Sequence, residues 1–201
     1  MKLHKRSIVG ISPLLMNNPA TMKPTTRGET LGTNIPTPEA EAKAKVYRLE
    51  SGGLCIPASW ITGAMQMASK GRKIGKFTAR AIVSGAVFTT REFYPLIDPE
   101  TSAPITEYVV DARRVVVKGN GVIRGRPKIL RWAVDVELEY DEELIKPAVI
   151  DELLSIAGRV AGFGDYAPHD NGPFGRFKLL DWTPSPAAAP EPEKKKGKKA
   201  A

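Results

Sequence analysis

Residues 131–139 alternate most clearly. Trp132, Val134, Val136 and Leu138 are large and apolar, and Arg131, Ala133, Asp135, Glu137 and Glu139 stand between them. A period of two marks a strand with one face in a core and the other toward water. The pattern predicts strands over 107–117 and 128–140, with Gly119-Asn120-Gly121 as a turn between them. Two segments follow a helical period instead. Ile61, Ala64, Met65 and Ala68 share one face after Pro57, with Ser59 as a candidate cap and Gly71 as a stop. Val149, Ile150, Leu153, Leu154 and Ala157 share another after Pro147. Ile8-Val9-Gly10-Ile11 suits a buried strand within 3–11, the apolar run 81–88 reads as a strand, and 174–182 reads as the last one. Residues 17–51 show little periodicity and hold Pro19, Pro24, Pro36 and Pro38. A loop of that length inside a compact domain is usually functional.

Strand, helix, strand, strand, helix, strand is the order of an α+β fold of the ferredoxin-like type. The expectation is a βαββαβ core, shared with the RNA-recognition motif, carrying a long early loop and an inserted β-hairpin. The domain is expected over 1–183. Residues 184–201, PSPAAAPEPEKKKGKKAA, have no core-forming residue and predict a disordered tail.

With 201 residues, 42% of them hydrophobic, the chain can bury one core. No apolar run approaches the roughly 18 residues of a membrane span. The first apolar stretch is broken at Ser12-Pro13, too early for a signal peptide. Cys55 is the one cysteine, which leaves no internal disulfide and no cysteine cluster for zinc. The expectation is a cytoplasmic protein with no membrane partner, no metal and no cofactor.

Charge changes the picture more than composition does. Residues 1–90 hold 13 Lys/Arg against 4 Asp/Glu, and Asp98 is the first aspartate. Residues 91–183 hold 12 against 16. A basic half with few acids fits a phosphate-binding surface, and it also fits a merely solvated face. Lys70, Arg72, Lys73 and Lys76 follow the first helix. Arg113, Arg114, Lys118, Arg124, Arg126, Lys128 and Arg131 crowd the hairpin, where they suit a phosphate path or protect a strand edge. Gly162, Gly164, Gly172 and Gly175 remove side chains from a late loop, exposing N–H groups to phosphate beside Arg176 or simply capping a helix. The basic helix exit and this glycine turn are expected to line one track for polyphosphate.

Three stretches carry a resemblance: IVGISPLLMNNPATM (8–22), CIPASWITGAMQMA (55–68) and GRVAGFGDYAPHDNGPFGRF (158–177). In this order and spacing they resemble the RAMP (repeat-associated mysterious protein) superfamily, most closely the repeated backbone subunit of CRISPR effector complexes. The Gly-Pro-Phe-Gly-Arg-Phe ending also resembles small proteins of phages and mobile elements. The resemblance implies a modified RNA-recognition fold that polymerises along guide RNA, with a protruding loop that kinks the strand. It implies that Ser59 and Thr62 lie along the strand and that Met16, Met22 and Pro24 wedge between bases. The implied partners are single-stranded RNA or DNA, copies of the chain itself and other effector-complex subunits.

The resemblance also bears on catalysis. Target-cleaving relatives carry an acidic residue in the early loop. Here that loop has Glu29, Glu39 and Glu41 but no aspartate, so a non-catalytic role is expected. His169, near Tyr166 and Lys178 in sequence, keeps a metal-independent endoribonuclease open as an alternative. A phage assembly or strand-binding protein is the other.

Overall fold

The computed structural model describes residues 1–19, 36–117 and 120–181. Met22, Pro24, Lys118 and the tail 184–201 therefore lie outside the described residues.

The strand predicted at 3–11 is β1, Lys2–Gly10. It pairs antiparallel with β10, Ala133–Tyr140, so that Ser7 lies opposite Asp135 and Lys5 opposite Glu137. On its other side β1 pairs with β11, Phe177–Leu180. The far edge of β10 is covered by two short strands, β6 (Val87–Thr89) and β7 (Phe93–Ile97). β3, Cys55–Pro57, pairs with β7. The sheet runs β11-β1-β10-β7-β3, with β6 beside β7 on β10, and every pairing in it is antiparallel.

Alternation fixes which face is buried. His4, Ile8, Val134, Val136, Leu138 and Tyr140 turn to one side. There they meet α2 (Ala58–Ala68) through Ile61 and Met65, and α4 (Pro147–Val160) through Ile150, Leu153 and Leu154. Each aliphatic side chain among these contributes roughly 1.5–3 kcal/mol by leaving water. The opposite face presents Lys5, Ser7, Asp135, Glu137 and Glu139, with Leu3, Phe88 and Leu180 exposed among them.

A second, three-stranded sheet stands apart from this core. β8 (Val109–Val117) and β9 (Asn120–Ile129) form a long hairpin, and β2 (Leu14–Leu15) joins it opposite Ile129 and Lys128. The segment 128–140, read as one strand, is thus two. The chain leaves the hairpin at Ile129 and enters the main sheet at Ala133. Between them Trp132 is fully buried and its indole N–H donates to Ser12 O at 2.9 Å. It lies directly over Gly10, where an added Cβ would fall 2.3 Å from the ring nitrogen, so only glycine lets the indole through.

Four other readings are corrected. Residues 81–88 are mostly helix: α3 is Ala79–Ala86, followed at once by β6. Ala79, Ile82, Val83 and Ala86 are buried at helical spacing, and Thr78 caps the helix by accepting from Ala81 N at 3.4 Å. The segment 17–51 includes α1, Pro38–Lys45. Thr37 caps it, Pro38 suits its first turn, and acids lead and lysines end it in accord with the helix dipole. Ser59 is no cap: Pro57 holds that position, and Ala58 N donates to Glu92 O at 2.8 Å. The strand expected over 174–182 is shorter, at Phe177–Leu180.

Candidate nucleic-acid interface

The basic cluster after α2 is built by tight turns. Ser69 caps the helix by donating to Met65 O at 3.0 Å, and Gly71 turns the chain at φ +73°. A minimal hairpin follows, β4 (Lys73–Ile74) and β5 (Phe77–Thr78), joined through Gly75. α3 starts directly after it. Ser69, Lys70, Gly71, Arg72, Lys73, Thr78 and Arg80 line an open cleft of about 330 Å³. Arg72 is bound to Glu152 of α4 at 2.5 Å. Lys70, Lys73, Lys76 and Arg80 are exposed and form no ion pair among the described residues. The N-terminus of α3 opens on the same cleft with no acid in its first turn. Cations and the positive end of a helix dipole thus converge on one concavity, which is how proteins bind phosphate.

The hairpin arginines are arranged differently. Arg113 donates to Asp111 Oδ1 at 3.2 Å and lies 4.7 Å from the ring centre of Phe174. Arg124 donates to Glu41 Oε1 at 3.1 Å, and Glu41 also accepts from Gly125 N at 2.8 Å and from Lys45 at 2.7 Å. Arg126 pairs with Asp165 of the late loop, and Arg131 with Asp98 and Glu100. Arg114 is exposed and outside any ion pair among the described residues. Arg113, Arg124 and Arg126 therefore fasten the small sheet to α1 and to the late loop. Burial would raise the Glu41 carboxyl, but Lys45, the Gly125 N–H and Arg124 outweigh burial and hold it below its ordinary value.

Three of the four glycines in the late loop do not present bare amides as expected. Gly162 N donates to Ala157 O at 2.8 Å, Gly172 N to Ala167 O at 2.9 Å and Gly175 N to Pro13 O at 2.8 Å. Its glycines allow the backbone to pack on itself. Gly175, at φ +65°, shows this most clearly: a Cβ there would lie 1.8 Å from Phe163 O. Gly164, at φ +79°, packs instead on β2, where a Cβ would lie 2.2 Å from Leu15 O. Arg176 is exposed beyond this loop, and its N–H donates to Ser12 Oγ at 2.9 Å.

Nor do the two expected halves of a track adjoin. Arg72 at the end of α2 meets α4 near its start, whereas Gly164 lies against Trp60 at the start of α2. The 11 residues of α2 separate them, about 16 Å at the usual helical rise. Between them the outer face of α2 is uncharged, with Ser59 exposed and the Thr62 hydroxyl donating back to Ser59 O at 3.4 Å. Trp60 is half-buried and meets Tyr47 edge-on at 5.4 Å.

Met16 is fully buried and its N–H donates to Pro127 O at 3.0 Å, so it packs the core and cannot serve as an exposed wedge. His169 Nδ1 lies 2.7 Å from Ala161 O, and its Nε2 lies 3.2 Å from Asp170. The other histidine, His4, is buried against Asp151 at the far end of β1 from this loop. His4 contacts Asp151 and His169 contacts Ala161, ten positions apart along α4 and its cap, about 15 Å at the usual helical rise, so the two histidines cannot share one phosphodiester. Among the described residues no group of three His, Cys, Asp or Glu is placed to hold a metal, and no helix is long and apolar enough to cross a membrane.

Arg80 and Phe77 escaped the sequence reading. The signal was present in Thr78, a cap residue two positions before Arg80, but reading 81–88 as a strand hid it.

No family model matches the chain, and no curated protein matches it. Among solved structures it is similar to a chain in the cryo-EM structure of the Type III-B Cmr-beta bound to cognate target RNA. That match has a TM-score of 0.49 and 16% identity, and it covers 89% of this chain and 58% of the other. It is also similar to Cmr6 from Pyrococcus furiosus, with a TM-score of 0.46, 15% identity, and coverage of 90% and 100%. The chain thus spans well under two thirds of the length of the first of these.

Proposed function

We propose that this chain is a RAMP-like domain that binds a single strand of nucleic acid without cleaving it, through the basic cleft between α2 and α3. The observation that carries the proposal is the cleft itself: Lys70, Lys73 and Arg80, free of acid partners among the described residues, at the start of a helix. The three sequence stretches quoted above support the family reading. The order β1, α2, β6/β7, β10, α4, β11 supports a ferredoxin-like core, because its strands lie in the spatial order 4-1-3-2 expected of that plan. In this reading the open sheet face is not the binding surface, since Asp135, Glu137 and Glu139 stand in one column there. Guide RNA within a CRISPR effector complex is the strand proposed, with several copies aligned along it and each contributing one cleft.

The test is fluorescence anisotropy of a labelled 30-nucleotide strand over rising salt, with RNA and DNA compared. Every phosphate that the protein neutralises makes the logarithm of affinity fall by a further 0.7 or so, roughly, per log unit of salt. Three or four neutralised phosphates predict a slope between about −2 and −3. Binding that ignores salt, or no binding at all, contradicts the proposal.

A further inference from the structure

Phe77 is 59% exposed, and it directly precedes Thr78, which lines the basic cleft. It lies opposite Ile74 in the two-residue ladder of β4 and β5, while Lys73 and Thr78, the other pair, line the cleft. Among the described residues its ring makes no aromatic or cation contact. Lys76 precedes it directly, and Gly75 leaves open space at the turn. A phenyl face held in water on a short, fixed ribbon beside phosphate-binding cations is the arrangement by which proteins seize an unpaired base.

We infer that Phe77 is a base-stacking platform, so that the cleft takes a phosphate on one side of the β4–β5 ribbon and Phe77 takes the adjoining base on the other. This rests on the single-strand-binding reading and deepens it. The cleft binds backbone of any form, whereas stacking needs a base freed from a duplex, so Phe77 supplies the preference for single strands. The bare turn at Gly75 is where the sugar-phosphate chain crosses. An anionic membrane would also attract Lys76 and Phe77. However, the cations here line a concavity, and Phe77 is the single large apolar side chain exposed on this hairpin.

The experiment compares the unsubstituted protein with Phe77→Ala and Phe77→Trp, using a 30-nucleotide RNA strand, the same sequence as a duplex, and inorganic polyphosphate. Phe77→Ala is expected to weaken strand binding about 5- to 100-fold, with the salt slope, duplex binding and polyphosphate binding unchanged. Phe77→Trp should keep strand affinity. Strand affinity unchanged in Phe77→Ala overturns the inference and leaves strand binding standing. Equal weakening on polyphosphate, or binding to phosphatidylserine vesicles that depends on Phe77 while strand binding does not, also overturns it. Failure of the unsubstituted protein to bind the strand at all overturns the underlying reading first.

Discussion

Arg126 of β9 holds Asp165 of the loop after α4 in an ion pair that joins the small sheet to the main domain. Both side chains are about four-fifths buried, so removing one partner leaves the other poorly solvated. Asp165→Asn is expected to lower stability by about 1–3 kcal/mol in urea denaturation, while the salt slope of strand binding stays as it was. A change in the slope would return Arg126 to the phosphate path.

Two glycines should respond in opposite ways to the same substitution. Gly164→Ala places a Cβ against Leu15 O at a positive φ, and a loss of at least about 2 kcal/mol is expected. Gly63, inside α2, has open space around its Cβ position, so Gly63→Ala should gain about 0.5–1 kcal/mol. Thermal and urea unfolding check both.

The fold should be acid-labile through two carboxylates. Burial would raise Asp151, but hydrogen bonds from Arg6 and with His4 outweigh it and hold the carboxyl below its ordinary value. Glu41 is lowered in the same way. A carboxylate lowered in the folded state stabilises fully above its unfolded pKa, near 4, and that stability is lost as pH falls through the lower folded value. Urea midpoints should therefore hold from neutrality to about pH 5 and drop steeply below about pH 4. Asp151→Asn should flatten that drop.

Cys55 lies in β3 at 1% exposure, and burial pushes its thiol pKa up to about 11. The native protein should react with a disulfide reagent far more slowly than the urea-unfolded chain. Fast reaction in the native state would mean that the β3–β7 edge opens readily.

These sites show what the sequence could convey. The two long helices and β10 were legible because each turns one face into the core, which imposes a clean period on Ile61–Ala68, Ile150–Ala157 and Val134–Leu138. α3 carried the same signal over Ala79–Ala86, but its β-branched residues run straight into β6, and the local composition read as strand. The roles of the hairpin arginines were not legible. Whether Arg113 faces phosphate or Asp111, and whether Arg124 faces phosphate or Glu41, depends on tertiary contacts between distant segments. The glycine loop carried a real signal with a second meaning, because a close approach to ligand and a close approach to its own backbone select the same residue.

The most direct measurement is the salt slope after reversing charge at the cleft. Lys73→Glu with Arg80→Glu is compared with Lys43→Glu and Lys178→Glu, which change net charge equally at exposed sites away from it. The account predicts that the cleft pair lowers strand affinity more than tenfold and flattens the slope by about 1–2 units, while the control pair stays within a few-fold of the unsubstituted protein. Equal losses in both pairs would contradict it, because binding would then follow overall charge and owe nothing to the junction of α2 and α3.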